Sequence, residues 1–137
     1  MKKQIKILVP LDGSKNSFRA LDTAILLFKN QDAIITGFHV IRFPVMFSKE
    51  IRKQYITNAQ SIMKVALKHT KQYGVRFVDK IQYNGYIGST IIKFAQDHKF
   101  NLIIIGSRGP DPVAEMFLGS VANYVINKAK MPVLLVK

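Results

Sequence analysis

The sequence predicts an open α/β fold, a five-stranded parallel sheet flanked by four helices and built as a single domain over residues 1–137. Three observations predict it. Apolar, β-branched runs alternate with segments of helical spacing from one end of the chain to the other. The run Leu102-Ile103-Ile104-Ile105 is continuously apolar, as a strand buried on both faces of a parallel sheet requires. No internal repeat, low-complexity tract or Pro/Ser-rich linker divides the alternation, whose order implies right-handed crossovers with helices on both faces.

The first strand is Ile5–Pro10, in which a basic opening leads into Ile7-Leu8-Val9 and stops at Pro10. That run is far shorter than the apolar region of a signal peptide, so no targeting segment is expected. Ser14 is a suitable N-cap for a first helix seen from Phe18 to Phe28, where Leu21, Ile25 and Phe28 recur at steps of four and three. Ala33–Ile41 is the second strand. The longest helix, Lys49–Tyr73, aligns Ile51, Tyr55, Ala59, Ile62, Ala66, His69 and Tyr73 on one stripe that packs against the sheet. Val75–Tyr83 follows as the third strand, Ile87–His98 as a helix carrying Ile91 and Ala95, and Leu102–Gly106 as the fourth strand. Ser120–Lys128, with Val121 and Val125, is the last helix, and Val133–Val136 the closing strand.

The 137 residues are long enough for one core without staples, and 48% apolar content excludes a disordered basic tail. The absence of cysteine excludes a disulfide scaffold, a thiol nucleophile and a thiolate metal site, and fits a reducing compartment. No apolar stretch reaches the roughly 18 residues of a spanning helix. A soluble cytoplasmic protein with no membrane partner is therefore expected. Lys and Arg number 21 against 8 Asp and Glu, a formal charge of +13, which draws attention to nucleic acid. Lys49, Arg52, Lys53, Lys64, Lys68, Lys71 and Arg76 fall on or beside the long helix, against Glu50 alone. They show no aromatic interleaving of the kind that stacks bases. A solvated helix face is the simpler reading, and nucleic acid remains the alternative partner.

In an open parallel sheet, ligands bind beyond the carboxyl ends of the strands, where strand order reverses. The residues that matter are Pro10-Leu11-Asp12-Gly13-Ser14 after the first strand and Gly106-Ser107-Arg108-Gly109-Pro110 after the fourth. Gly106, Gly109 and Gly119-Ser120 form a pattern in which glycine permits close approach of backbone N–H groups to a phosphate, at the start of a helix whose dipole favours an anion. Ser120 either caps that helix or donates its hydroxyl to a phosphate oxygen. Asp12 suits the hydroxyls of a ribose or a bridging metal, and Asp-Gly is also ordinary turn chemistry. Neither a P-loop nor the Gly-x-Gly-x-x-Gly dinucleotide fingerprint is present. His39, His69 and His98 have no metal-ligand spacing, and His69 on its apolar stripe reads as a packed residue. Asp111 and Glu115 read as a solvated loop rather than an acid/base pair.

Gly106-x-x-Gly109-x9-Gly119-Ser120 resembles the nucleotide-binding signature of the universal stress protein family. Ile7–Ser14 is similar to that family's opening strand and loop, Phe38-His39-Val40 to the end of its second strand, and Met131–Val136 to its terminal strand. The resemblance implies a Rossmann-like fold of the adenine nucleotide alpha-hydrolase type, usually as a homodimer, with ATP, AMP or ADP as ligand. It also implies site residues. Pro10, Leu11 and Asp12 would line the adenosine pocket, with Val40 contacting adenine through its backbone. Gly106, Ser107, Arg108 and Gly109 would wrap the ribose and phosphates, and Gly119, Ser120 and Val121 would present N–H groups and a hydroxyl to the phosphate chain. The loop Pro110–Leu118 departs from many family members in carrying Asp111 and Glu115 but no Lys or Arg, so Mg²⁺ bridging the triphosphate to these carboxylates would supply the missing charge.

The expected function is a nucleotide-dependent regulatory switch that reports to an unidentified protein partner. A slow ATPase or phosphotransfer enzyme and a basic nucleic-acid-binding module are the rivals, and catalysis beyond slow ATP hydrolysis has no support in the residues. The apolar strand Val133–Val136 would invite uncontrolled pairing at a sheet edge unless a second copy covers it, which makes it the expected homodimer contact.

Overall fold

The computed structural model describes residues 3–83, 85–108 and 118–137. Its elements are β1 (Ile5–Pro10), α1 (Lys15–Phe28), β2 (Ala33–Ile41), α2 (Lys49–Lys71), β3 (Arg76–Tyr83), α3 (Ile87–Asp97), β4 (Leu102–Gly106), α4 (Ser120–Lys128) and β5 (Val133–Val136). The five strands form one parallel sheet in the order β3-β2-β1-β4-β5. The α/β fold expected from the alternation is therefore the fold adopted.

Four element ends differ from the sequence reading, and the largest difference has a plain cause. α1 begins at Lys15, not Phe18, because Ser14 caps it: the Ser14 hydroxyl oxygen accepts from the Ser17 N–H at 3.1 Å. The first turn, Lys15-Asn16-Ser17, carries no apolar residue and so gives no periodic signal, although Asn16 and Ser17 are buried. β3 starts one residue later than expected, α2 ends at Lys71 and α3 at Asp97.

Side-chain alternation along the central strands feeds two cores. Ile7, Val9, Ile35 and Ile104 point to the face covered by α1 and α2, with Leu21, Ala24, Ile62 and Ala66. Leu8, Phe38, Ile103 and Ile105 point to the opposite face, covered by α3 and α4 through Ile91, Ala95 and Val125. A parallel strand buried on both faces has to be apolar at consecutive positions, which explains the unbroken runs in β1 and β4. The edge strands differ from one another. β3 exposes Arg76, Asp79 and Lys80, whereas β5 is wholly apolar and half-buried throughout.

Candidate functional site

β1 lies between β2 and β4, so the connection from β1 goes one way across the sheet and the connection from β4 goes the other. The gap left at their carboxyl ends is a cavity of about 470 Å³. That is a size usual for small-molecule sites. Its apolar wall comes from Pro10, Leu11, Phe38, Val40, Ile91 and Ile105. Asp12, Ser17, His39, Arg108 and Ser120 supply polar groups, and Arg108 is the one Lys or Arg among the described lining residues.

The loop after β1 is closed by its own side chains. The Asp12 carboxylate accepts from the Ser14 N–H at 2.8 Å, and the Ser17 hydroxyl donates to the Ser14 carbonyl at 2.9 Å. Gly13 between them has φ +86°, a left-handed conformation that L side chains rarely adopt, which is why Asp-Gly stands here. One Asp12 oxygen thus shapes the turn while the residue lines the cavity.

The end of β2 contributes main chain. The Leu11 N–H donates to the Phe38 carbonyl at 2.8 Å, the last link between the β1 and β2 segments. Main-chain groups alternate sides along a strand, so Val40 directs its N–H and C=O to the same side as Phe38, where β1 has already left the sheet. Val40 is buried at the cavity wall. Next to it, His39 Nδ1 lies 2.6 Å from the Leu11 carbonyl oxygen. A carbonyl only accepts, so Nδ1 carries the hydrogen of this contact.

The end of β4 approaches α1 closely. A Cβ at Gly106 would lie 2.8 Å from the Asn16 carbonyl oxygen, so only glycine fits without moving the helix. Ser107 is buried, and its main chain holds the site's far side: its N–H donates to the Val136 carbonyl and its C=O accepts from the Gly119 N–H, both at 2.7 Å. Gly119 is the N-cap of α4, with φ −62° and ψ 152°. Glycine brings no capping oxygen, so an acceptor for the first-turn N–H groups has to come from elsewhere. α1 differs, since Ser14 closes its start.

Of the residues expected from the sequence, Pro10, Leu11, Asp12 and Val40 line the cavity from one side. Gly106, Arg108, Gly119, Ser120 and Val121 line it from the other. Ser107 lies behind the wall, acting through its main chain. Gly109, Asp111 and Glu115 lie outside the described residues. Sequence reasoning missed Ser17, Phe38, His39, Ile87, Ile91 and Leu118, which also line the cavity. His39 had a signal, its place one residue before Val40 at a strand's carboxyl end; the apolar residues had none to separate them from core.

His69 is not in this site. Its Nδ1 lies 2.7 Å from an Asp22 carboxylate oxygen and its ring packs on Phe18, so it is a half-exposed paired residue rather than a fully packed one. Among the described residues no group of three or more His, Asp or Glu is placed to hold a metal ion, and no helix is long and apolar enough to cross a membrane.

A parallel sheet of this strand order with a ligand-sized cleft at its reversal point defines the class of open α/β proteins that bind small molecules at the carboxyl edge. Within it, the chain belongs to the universal stress protein family, whose sequence profile matches residues 5–137. It is similar to Universal stress protein YxiE of Bacillus subtilis, with 34% identity over 96% of this chain and 98% of that one. The solved structure of protein MJ0577 of Methanocaldococcus jannaschii superposes with a TM-score of 0.86 at 30% identity, covering 97% of this chain and 95% of that one. The fold is shared too by a universal stress protein of Archaeoglobus fulgidus solved in complex with dAMP, with a TM-score of 0.76 and 21% identity over 100% of both chains.

Proposed function

We propose that this protein binds an adenine nucleotide, ATP foremost, in the cleft between the ends of β1 and β4, and that occupancy rather than turnover is its output. The observation that carries the reading is the chemistry of the cleft's two ends. At one end, the Val40 N–H and C=O lie side by side beyond the end of β1, a donor and an acceptor matching N1 and the exocyclic amine of adenine, with Leu11, Phe38 and Ile91 as apolar surroundings for the ring. At the other, the start of α4 and the Arg108 guanidinium suit phosphates. Asp12, with one oxygen committed to its turn, has a second for a ribose hydroxyl. The dAMP complex of the Archaeoglobus fulgidus relative agrees in ligand class.

His39 and Asp12, which line the described cleft, are each tethered to the fold through one side-chain atom, and this holds them in place for contact with a ligand. His39 is tied to the Leu11 carbonyl and Asp12 to the Ser14 N–H. No described cluster fits a resident metal, so magnesium enters this proposal as the triphosphate's own counter-ion, arriving with the nucleotide. The protein's regulatory role in a stress response, its cytoplasmic location and its assembly as a homodimer through β5 are parts of the same proposal. What supports the dimer is the contrast between edges: β3 is guarded by charges, whereas β5 is a bare apolar edge. Light scattering should return twice the chain mass of 15.5 kDa.

Native mass spectrometry of the purified protein should reveal a co-purifying adenine nucleotide. In calorimetry, GTP should bind at least about tenfold more weakly than ATP, because guanine reverses the donor and acceptor facing Val40 and leaves both groups mispaired. Equal affinities would remove the Val40 assignment. Phosphate release from Mg-ATP on the order of 1 per second or faster would favour an enzyme over a switch.

A further inference from the structure

Beside the cleft, the rim of the sheet carries a second surface of different composition. Phe43 follows β2, Phe47 lies in the β2–α2 connection, Tyr55 is on α2, and Tyr83 ends β3. Their rings gather around Phe43: Phe47 stacks on it at 4.9 Å and Tyr83 at 6.1 Å between centroids, and Tyr55 tilts against it at 5.8 Å. The Arg52 guanidinium sits over the Phe43 ring at 5.2 Å, and across the rim Arg42 sits over Tyr86 at 4.9 Å. Between these two pairs is a notch of about 250 Å³ lined by Arg42, Phe43, Gly85 and Tyr86. Tyr86 is 71% exposed and Tyr83 51%. Lys49 and Lys53 stand exposed on the first turns of α2, with Glu50 as the acidic residue there.

We infer that this surface binds single-stranded nucleic acid. Tyr86 and Tyr83, the most exposed rings of this rim, leave ring surface open to an unstacked base of any identity, and the neighbouring guanidinium and ammonium groups donate to the phosphates between bases. An arginine held over a ring keeps N–H donors for an anion while the ring lowers the cost of fixing it. A duplex has its base faces already stacked, so it offers only the phosphate half of this chemistry. An acidic peptide offers only charge. A second copy of the chain, paired by a two-fold axis on this patch, would set Arg42 and Arg52 against the same cations. The surface adjoins the nucleotide cleft, since Tyr86 immediately precedes Ile87, yet the notch and the cleft share no lining residue.

The test is fluorescence anisotropy with labelled oligouridylate and oligothymidylate of about 12 nucleotides, at about 0.15 M salt. Either strand should bind, and ATP at saturation should not displace it. Tyr86→Ala should weaken binding about tenfold or more while Tyr86→Phe retains it. Tyr86 caps α3 through its main chain, with no side-chain cap hydrogen bond, so the alanine variant keeps the helix start. Arg52→Ala, at an exposed helical position, should lower the slope of log affinity against log salt by about 0.7. Three results would each overturn the inference: polyglutamate competing as well as the strand, wild-type binding by both Tyr86→Ala and Arg52→Ala, or displacement of the strand by ATP.

Discussion

The carboxyl edge of the sheet carries two surfaces of opposite construction within a few residues of each other. The cleft is made from main chain: Val40 at the end of β2, Gly106 pressed on Asn16, Gly119 opening α4, and a single Arg108 for charge. The rim is made from long side chains, with rings stacked on Phe43 and arginines laid over rings. Main chain placed by a sheet is stiff and reads one ligand shape; exposed rings and guanidiniums are adaptable and read a class of partner. Of the chain's 21 basic side chains, Arg108 alone lines the described cleft, whereas Arg42, Lys49, Arg52 and Lys53 stand at the rim.

Backbone sites break when backbone moves, so the largest effect is expected at Gly106. In Gly106→Val the new Cβ meets the Asn16 carbonyl oxygen and carbon at 2.8 and 2.9 Å, atoms that cannot swing aside, and α1 has to shift from β4. Such overpacking costs about 1–3 kcal/mol, a fall in Tm of roughly 5–10 °C by calorimetry. ATP affinity should drop by at least about tenfold, since both walls of the cleft move, while oligonucleotide binding at the rim persists. Loss of both together would mean that the two surfaces are one.

Next in size is Arg108→Ala. A charge-assisted hydrogen bond to phosphate is worth about 1.5–3 kcal/mol, so ATP should bind roughly tenfold to a hundredfold more weakly. Adenosine should bind as before, because its contacts lie at the Val40 end of the cleft. Titration calorimetry with the two ligands separates the ends, and equal losses for both would place Arg108 at the base or in the fold instead.

The same contrast explains what the sequence made legible. Strands buried on both faces have to be apolar without interruption, and helices on a sheet have to repeat every three or four residues, so the order of elements was readable from Ile7-Leu8-Val9, Leu21, Ile25 and Leu102–Ile105. The cleft was readable where it is built from contiguous residues after β1 and after β4, since each loop carries its own glycines. Phe38, Ile87 and Ile91 were not, because a residue lining a cavity and a residue filling a core obey the same periodicity. The rim was illegible altogether. Phe43 and Tyr83 are separated in the chain by α2 and β3 and meet because β2 pairs with β3, while Tyr55 reaches them from α2. The absence of aromatic interleaving along the linear sequence was true of the sequence and not of the surface.

The smallest expected effect concerns the charge that belongs to neither surface. Lys64 and Lys68 are exposed on α2 and line neither the cleft nor the notch. Replacing both with glutamate leaves 19 basic against 10 acidic side chains, lowering the formal charge from +13 to +9. At about 0.15 M salt the screening length is roughly 8 Å, so ATP affinity should change by less than about twofold. At about 0.01 M salt it lengthens to roughly 30 Å, and the association rate measured by stopped flow should fall severalfold. That pattern, a rate effect that salt abolishes with affinity intact, is the mark of steering by a distant field. A large loss of ATP affinity at physiological salt would show instead that bulk charge holds the nucleotide, and the cleft could no longer be described as a site built from main chain and one arginine.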